Sequence, residues 1–317
     1  MIPRWLRVVF WANLVAQSGI IVTGAIVRVT GSGLGCPDWP DCANGSITPT
    51  AHQAESWHKY VEFGNRTLTF LLVILSLAAL VGSLVVIARR RGTQFVGPKT
   101  RTLVLLSAIP VLGTFAQAIL GGITVLTGLN PAIVAGHFLV SIAIVAGCVN
   151  LVVRSGETGL SPRPLVPIPV LWLGRTLVVV SAAVITLGTI VTGSGPHSGD
   201  ADTPNRLGFD PRTVSWVHAD LVLLFIGLLI GLIVALHLLH TPRRARALAW
   251  GLMGVTVVQG LIGYTQYFTG LPWLLVSFHV AGAAVLWIVV LFLLLSLQDR
   301  GTAVSSGQER VSSNNEK

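Results

Sequence analysis

Apolar residues fall into eight long runs, at 8–27, 64–88, 103–126, 131–153, 173–191, 214–239, 245–268 and 271–297, with shorter polar segments between most of them. Each run approaches the about 20 residues that carry an α-helix across a hydrocarbon core about 30 Å thick, so the pattern predicts eight membrane-spanning helices. Pro110 interrupts the third run, a break that neighbouring helices tolerate. The connections 127–130 and 269–270 read as tight turns, each carrying Thr-Gly. The first run lacks a small-residue cleavage site and continues as a span rather than as a removable signal.

Composition agrees with that class. Of 317 residues, 52% are hydrophobic and 10% are charged, and mean hydropathy is +0.76. A soluble domain carries about 25% charged residues. The formal net charge of +9 raises nucleic acid as a partner, but the placement of the cations removes that reading. With the N-terminus inside, the inner segments hold 16 of the 21 Lys and Arg residues, leaving Arg28, Lys59, Arg66, Arg206 and Arg212 outside. The positive-inside rule therefore puts both termini in the cytoplasm. The tail at 299–317 is rich in Ser, Asn and Glu and is expected to be disordered.

The chain repeats itself. Gln117, Gly121, Thr127, Gly128, Leu129 and His137 recur 142 residues later as Gln259, Gly263, Thr269, Gly270, Leu271 and His279. Upstream, Ser56-Trp57-His58 resembles Ser215-Trp216-Val217-His218, and Gly24-Ala25-Ile26-Val27 resembles Gly188-Thr189-Ile190-Val191. A duplicated four-helix unit follows, and an even helix count gives both copies the same orientation. The predicted fold is all-α: two tandem four-helix bundles, at 1–160 and 161–298, related by a pseudo-twofold axis along the membrane normal.

The repeat places His58, His137, His218 and His279 near the outer ends of helices 2, 4, 6 and 8, the last three roughly two turns in and His58 further out, ahead of the apolar run of its helix. Ionisable groups inside a span are costly and mark functional sites. Helices 2 and 4 of a unit can face one another across the bundle interior. Two neutral imidazoles on opposite sides of a porphyrin give six-coordinate iron. The expected pairs are His58 with His137 and His218 with His279, with zinc or copper as the competing occupants. His237 and His240 fall beside Arg243 at the inner end of helix 6 and read as part of a basic cap, while His52 and His197 fall in outer loops. Cys148, deep in helix 4, reads as a small buried apolar residue.

The halves differ around their histidines. Glu55, Glu62 and Arg66 share the helical spacing of His58, whereas Ser215, Val222 and Ile226 surround His218. Proton-transfer groups within reach suit a reacting site, so chemistry is expected in the first half and a redox cofactor in the second. A surface ion pair between Glu62 and Arg66 is the competing reading, which makes Glu55 the better catalytic candidate. Cys36 and Cys42 in the first outer loop read as a disulfide, either a structural staple or an exposed, labile redox pair.

Taken together, Val22-Thr23-Gly24 with Arg28, the Cys36 and Cys42 loop, Glu55-Ser56-Trp57-His58-Lys59, and His137, His218 and His279 resemble the haem A synthase family over nearly the whole chain. The resemblance implies a plasma-membrane enzyme that oxidises the C8 methyl of haem O to a formyl group, through hydroxylations ending in a gem-diol. It implies a haem B cofactor on His218 and His279, haem O as substrate between His58 and His137, and Glu55 handling protons. Arg28 and Arg66 would meet propionates. The haem O-producing farnesyltransferase and an electron acceptor are the implied partners, and a homo-oligomer is compatible. Members of the family often carry a His-Arg pair where this chain has Asn65-Arg66. The competing function is a dihaem b-type electron carrier, for which the Glu55 strip and the cysteine pair have no use.

Overall fold

The computed structural model describes residues 2–51, 53–89, 97–200 and 204–301. His52 and residues 302–317 of the expected tail lie outside them. Among the described residues are eight helices long and apolar enough to cross a membrane: α1 (Arg4–Val29), α2 (His58–Arg89), α3 (Thr100–Leu126), α4 (Pro131–Ser155), α5 (Ile168–Ser194), α6 (Pro211–Leu238), α7 (Arg243–Phe268) and α8 (Trp273–Ser296). The chain is an all-α, multi-pass membrane protein.

Local chemistry sets the helix ends that matter for the site. Helix α4 opens with Pro131 after Asn130, whose side chain accepts from the Ala132 N–H at 3.0 Å. Helix α6 opens with Pro211 after Asp210, which accepts from the Thr213 N–H at 2.8 Å and from its hydroxyl at 2.6 Å. Both are capped starts with proline at the first helical position. The Thr213 bonds hold the Asp210 carboxyl below its ordinary range.

Helices α3 and α7 end alike. Gly128 and Leu129 (φ 58° and 56°), and Gly270 and Leu271 (φ 78° and 59°), take left-handed conformations. The Leu129 N–H returns to the Thr124 carbonyl at 2.8 Å and the Leu271 N–H to that of Gln266 at 2.7 Å. This is the Schellman closure, in which glycine supplies the left-handed residue at no steric cost. It reverses the chain sharply, so the next helix starts two residues later and its histidine arrives at a set depth.

Helices α1 to α4 pack in a ring, each against the next and α4 back against α1; α5 to α8 repeat the arrangement. The seam between the rings is made by α1, α4, α5 and α8. Across it Trp11 stacks on Phe292 with centroids 5.8 Å apart, and the Trp287 indole N–H donates to the Ile142 carbonyl at 2.9 Å. A buried tryptophan needs such a partner. Inside the first ring, Asn13 and Gln17 of α1 donate to Ser76 of α2 at 3.2 and 3.4 Å, and Gln17 also donates to Thr114 of α3 at 2.9 Å. Cys148 of α4 is buried as expected, with its thiol on Asn13 Oδ1 at 3.7 Å.

At the end of the bundle away from the four histidines, β1 (Arg163–Pro164) pairs antiparallel with β2 (Gln298–Asp299). Thr158 donates through its N–H to the Gly301 carbonyl and through its hydroxyl to that of Arg300. The segment 299–301, read from the sequence as the start of a disordered tail, is therefore held by backbone hydrogen bonds. Short-range composition could not reveal that pairing partner, because it lies more than 130 residues upstream.

Candidate functional site

In the second ring, α6 and α8 bring His218 and His279 together edge to face, with ring centroids 6.5 Å apart and planes at 72°. Each ring rests on a glycine of the preceding helix. A Cβ on Gly188 of α5 would lie 3.4 Å from His218 Cε1, and one on Gly263 of α7 would lie 3.5 Å from His279 Cε1. Nδ1 of each ring is buried without a hydrogen-bond partner.

The separation can be compared with that of two imidazoles on one metal. About 2 Å of metal–nitrogen bond and about 1.1 Å from nitrogen to ring centre on each side give roughly 6 Å. The observed value fits a single ion held between His218 and His279, and the apolar walls of the ring suit a porphyrin around it.

The first ring is built differently. His137 of α4 rests on Gly121 of α3, whose Cβ would come 3.6 Å from His137 Cε1, and its Nδ1 is buried and unpartnered. Gln117 donates to the His137 carbonyl at 2.9 Å and to Ser141. His58, by contrast, is the first residue of α2. Its Nδ1 shares a hydrogen bond of 2.9 Å with Ser32 Oγ, and its ring stacks on Trp57 at 4.0 Å. Among the described ring contacts His58 and His137 do not meet, so the expected pair is not brought together as the second pair is.

Register explains this. His218 is the eighth residue of α6, and the eighth residue of α2 is Asn65; His137 and His279 are the seventh residues of α4 and α8. His58 therefore stands about 10 Å further out than the depth the other three share. Asn65 Oδ1 accepts from the Thr23 hydroxyl at 2.7 Å, which places it beside Gly24, the counterpart of the glycine that seats His218. Gly24 itself faces open space.

Glu55 does not share the helical face read from the sequence. It lies in a turn before α2, and Ser56 takes a left-handed φ of 45° that separates it from the helix. Its Oε2 is buried with no partner. Glu62 and Arg66 do form the i,i+4 pair, at 2.6 Å, and both turn to the cysteine loop. Glu62 accepts from the Cys36 N–H at 2.7 Å. Arg66 donates to the carbonyls of Cys36 (2.6 Å), Asp38 (3.1 Å) and Asp41 (2.9 Å). Cys36 and Cys42 form a disulfide whose residues are 0% and 1% exposed. The bond is enclosed, not exposed as the redox reading supposed. Arg66 has its donors committed to this loop, whereas Arg28 is only partly used: its Nε donates to the His197 carbonyl at 2.9 Å and one terminal nitrogen is buried and unpartnered.

His197 and His237 are tied into structure. His197 Nε2 bonds the Leu271 carbonyl at 2.8 Å, and Gly33 donates to the Gly199 carbonyl at 2.8 Å, so the outer loops of the two rings are linked. His237 bonds the Ile233 carbonyl and packs on Trp250 of α7. The ring-seating role of Gly121, Gly188 and Gly263 escaped the sequence reading, although all three recur in the repeat. The Thr23 and Asn65 contact escaped it entirely.

A profile of the COX15-CtaA family, described as cytochrome oxidase assembly protein, matches residues 5–291. Curated relatives named heme A synthase include those of Lysinibacillus sphaericus (34% identical over 140 residues, 44% of this chain and 41% of the relative) and Bacillus pumilus (33% over 148 residues, 46% and 44%). A third, from Bacillus licheniformis, is 32% identical over 129 residues, 40% of this chain and 38% of the relative. The chain thus spans less than half the length of the curated relatives it matches. With the family profile covering nearly all of it, this chain belongs to the cytochrome oxidase assembly protein family.

Proposed function

We propose that this protein oxidises the C8 methyl of haem O to the formyl group of haem A, with a resident haem B in the second ring. The observation that carries the reading is the His218 and His279 pair, 6.5 Å apart and seated on glycines. These two residues would hold the cofactor through their imidazole nitrogens, and the haem would supply a one-electron redox centre there. The division into a substrate half at 1–160 and a cofactor half at 161–298 is supported by the two separate rings of helix contacts.

The substrate haem O lies in the first ring on His137, with the start of α2, His58 included, as the outer wall. Taking the methyl to the formyl group, with the oxygen drawn from water, releases four electrons, which leave to the acceptor, and four protons, which a nearby carboxyl accepts and passes on. Glu55 has a free buried oxygen for this, while Glu62 is a carboxylate already held by Arg66 and Cys36. Arg28, with its unpaired nitrogen, is the propionate partner; Arg66 is assigned to the loop. The orientation is N- and C-termini inside a plasma membrane, from the distribution of Lys and Arg. An electron acceptor and the haem O-producing farnesyltransferase are the partners.

The test is co-expression with a haem O-producing farnesyltransferase, followed by chromatography and pyridine haemochrome spectra of the purified protein. Haem A should accompany the wild type. Glu55→Gln should retain haem B and lower haem A formation by about 10²- to 10⁴-fold. If Glu62→Gln alone abolishes product with haem B intact, proton handling moves to Glu62. Two haems B and no modified haem in the wild type favour an electron carrier.

A further inference from the structure

Resting on that reading, we infer that the first ring offers the substrate iron one protein ligand, His137, and that the Asn65 amide stands at the position opposite, where the second ring has a second histidine. Helix register carries the first part. Asn65 occupies in α2 the place His218 occupies in α6, eight residues from the start. The neighbouring helix agrees: Thr23 beside Gly24 holds Asn65, as Gly188 seats His218. The space at Gly24 is open because a short amide, not an imidazole, reaches that turn.

His58 is anchored elsewhere. Ser32 engages its Nδ1 and Trp57 stacks on its ring. Its backbone is pinned as well, since a Cβ on Gly35 would come 2.5 Å from the His58 carbonyl oxygen. Moving the ring inward by two turns would require unwinding the contact between α2 and the disulfide loop.

An amide is a poor iron ligand but a good hydrogen-bond partner. With Oδ1 on Thr23, the Asn65 Nδ2 end makes no hydrogen bond among the described residues. Its two N–H donors are free for an oxygen atom, from water or from the substrate, on that side of the porphyrin. A bis-histidine site closes both faces of the metal, as suits a carrier; one histidine opposed by an amide leaves a face open, as suits a site where a substrate is altered. Asn65 is a positioning residue in this account.

The test is titration of the purified protein, carrying its resident haem, with ferric haem B, read by absorption and electron paramagnetic resonance. The resident low-spin signal reports that each variant is folded. One further equivalent should bind to the wild type and give a high-spin signal. His137→Ala should abolish that binding, and His58→Ala should leave the spin state unchanged. Asn65→His should convert the added haem to low spin, because the second ligand is restored at the shared depth. A wild-type low-spin added haem that becomes high-spin in His58→Ala would overturn the inference while leaving the proposed function standing. An Asn65→His protein that stays high-spin also overturns it. Failure of any second haem to bind overturns the substrate site itself.

Discussion

Replacing Arg66 by methionine should open the disulfide loop. The substitution keeps most of the aliphatic stem and removes five hydrogen bonds: two to Glu62 Oε1, at 3.0 and 2.6 Å, and three to the carbonyls of Cys36, Asp38 and Asp41. Glu62 would keep the Cys36 N–H but lose its cation, while its side chain is 7% exposed against 22% for Arg66. Breaking a buried ion pair by removing one partner costs about 3–5 kcal/mol. Solvent access to Arg66 reduces that here to about 2–3 kcal/mol. Because both cysteines are enclosed, a reductant reaches the bond only through local opening. At about 1.4 kcal/mol per tenfold, the open population should rise roughly 30- to 140-fold. The assay is the rate of reduction by a membrane-impermeant phosphine with maleimide trapping, under conditions where reclosing outpaces reduction. Arg66→Lys should fall between, since one ammonium cannot replace the fork. A change below about threefold for Arg66→Met would refute the clamp.

Gly188→Ala should leave the resident haem in place, because its Cβ would sit in ordinary contact at 3.4 Å from His218 Cε1, whereas Gly188→Leu should displace the ring and cut haem content; haem-to-protein ratio of the purified variants checks both. Thr23→Val removes the hydroxyl that holds Asn65 and should lower haem A formation while the resident haem is unchanged, read by chromatography of the bound haems. A cysteine placed at exposed Asn44 should react with an impermeant maleimide on intact cells and one at Arg163 should not; the opposite pattern would reverse the orientation.

All eight spans were legible because apolar runs of spanning length have few alternative explanations. The repeat was equally plain, since Thr-Gly-Leu recurs where a Schellman turn needs glycine. The sequence puts His58 further out than the other three histidines, as found, because α2 begins at His58 while α6 begins seven residues before His218; the shared Ser-Trp dipeptide hid that Asn65, not His58, is in register with His218. The left-handed Ser56 that ends the preceding turn carries no sequence signal comparable to glycine or proline. The enclosure of the disulfide, the Arg66 clamp and the contact between Arg28 and His197 join residues far apart in the chain, and no local pattern encodes them.

The measurement closest to the central claim is electron paramagnetic resonance of the protein purified with its resident haem, for the wild type and for His218→Ala and His279→Ala separately. One low-spin, bis-imidazole haem per chain in the wild type, lost or turned high-spin in each variant, is the predicted result. A resident haem whose low-spin signal survives both substitutions would contradict the assignment of His218 and His279 as its ligands.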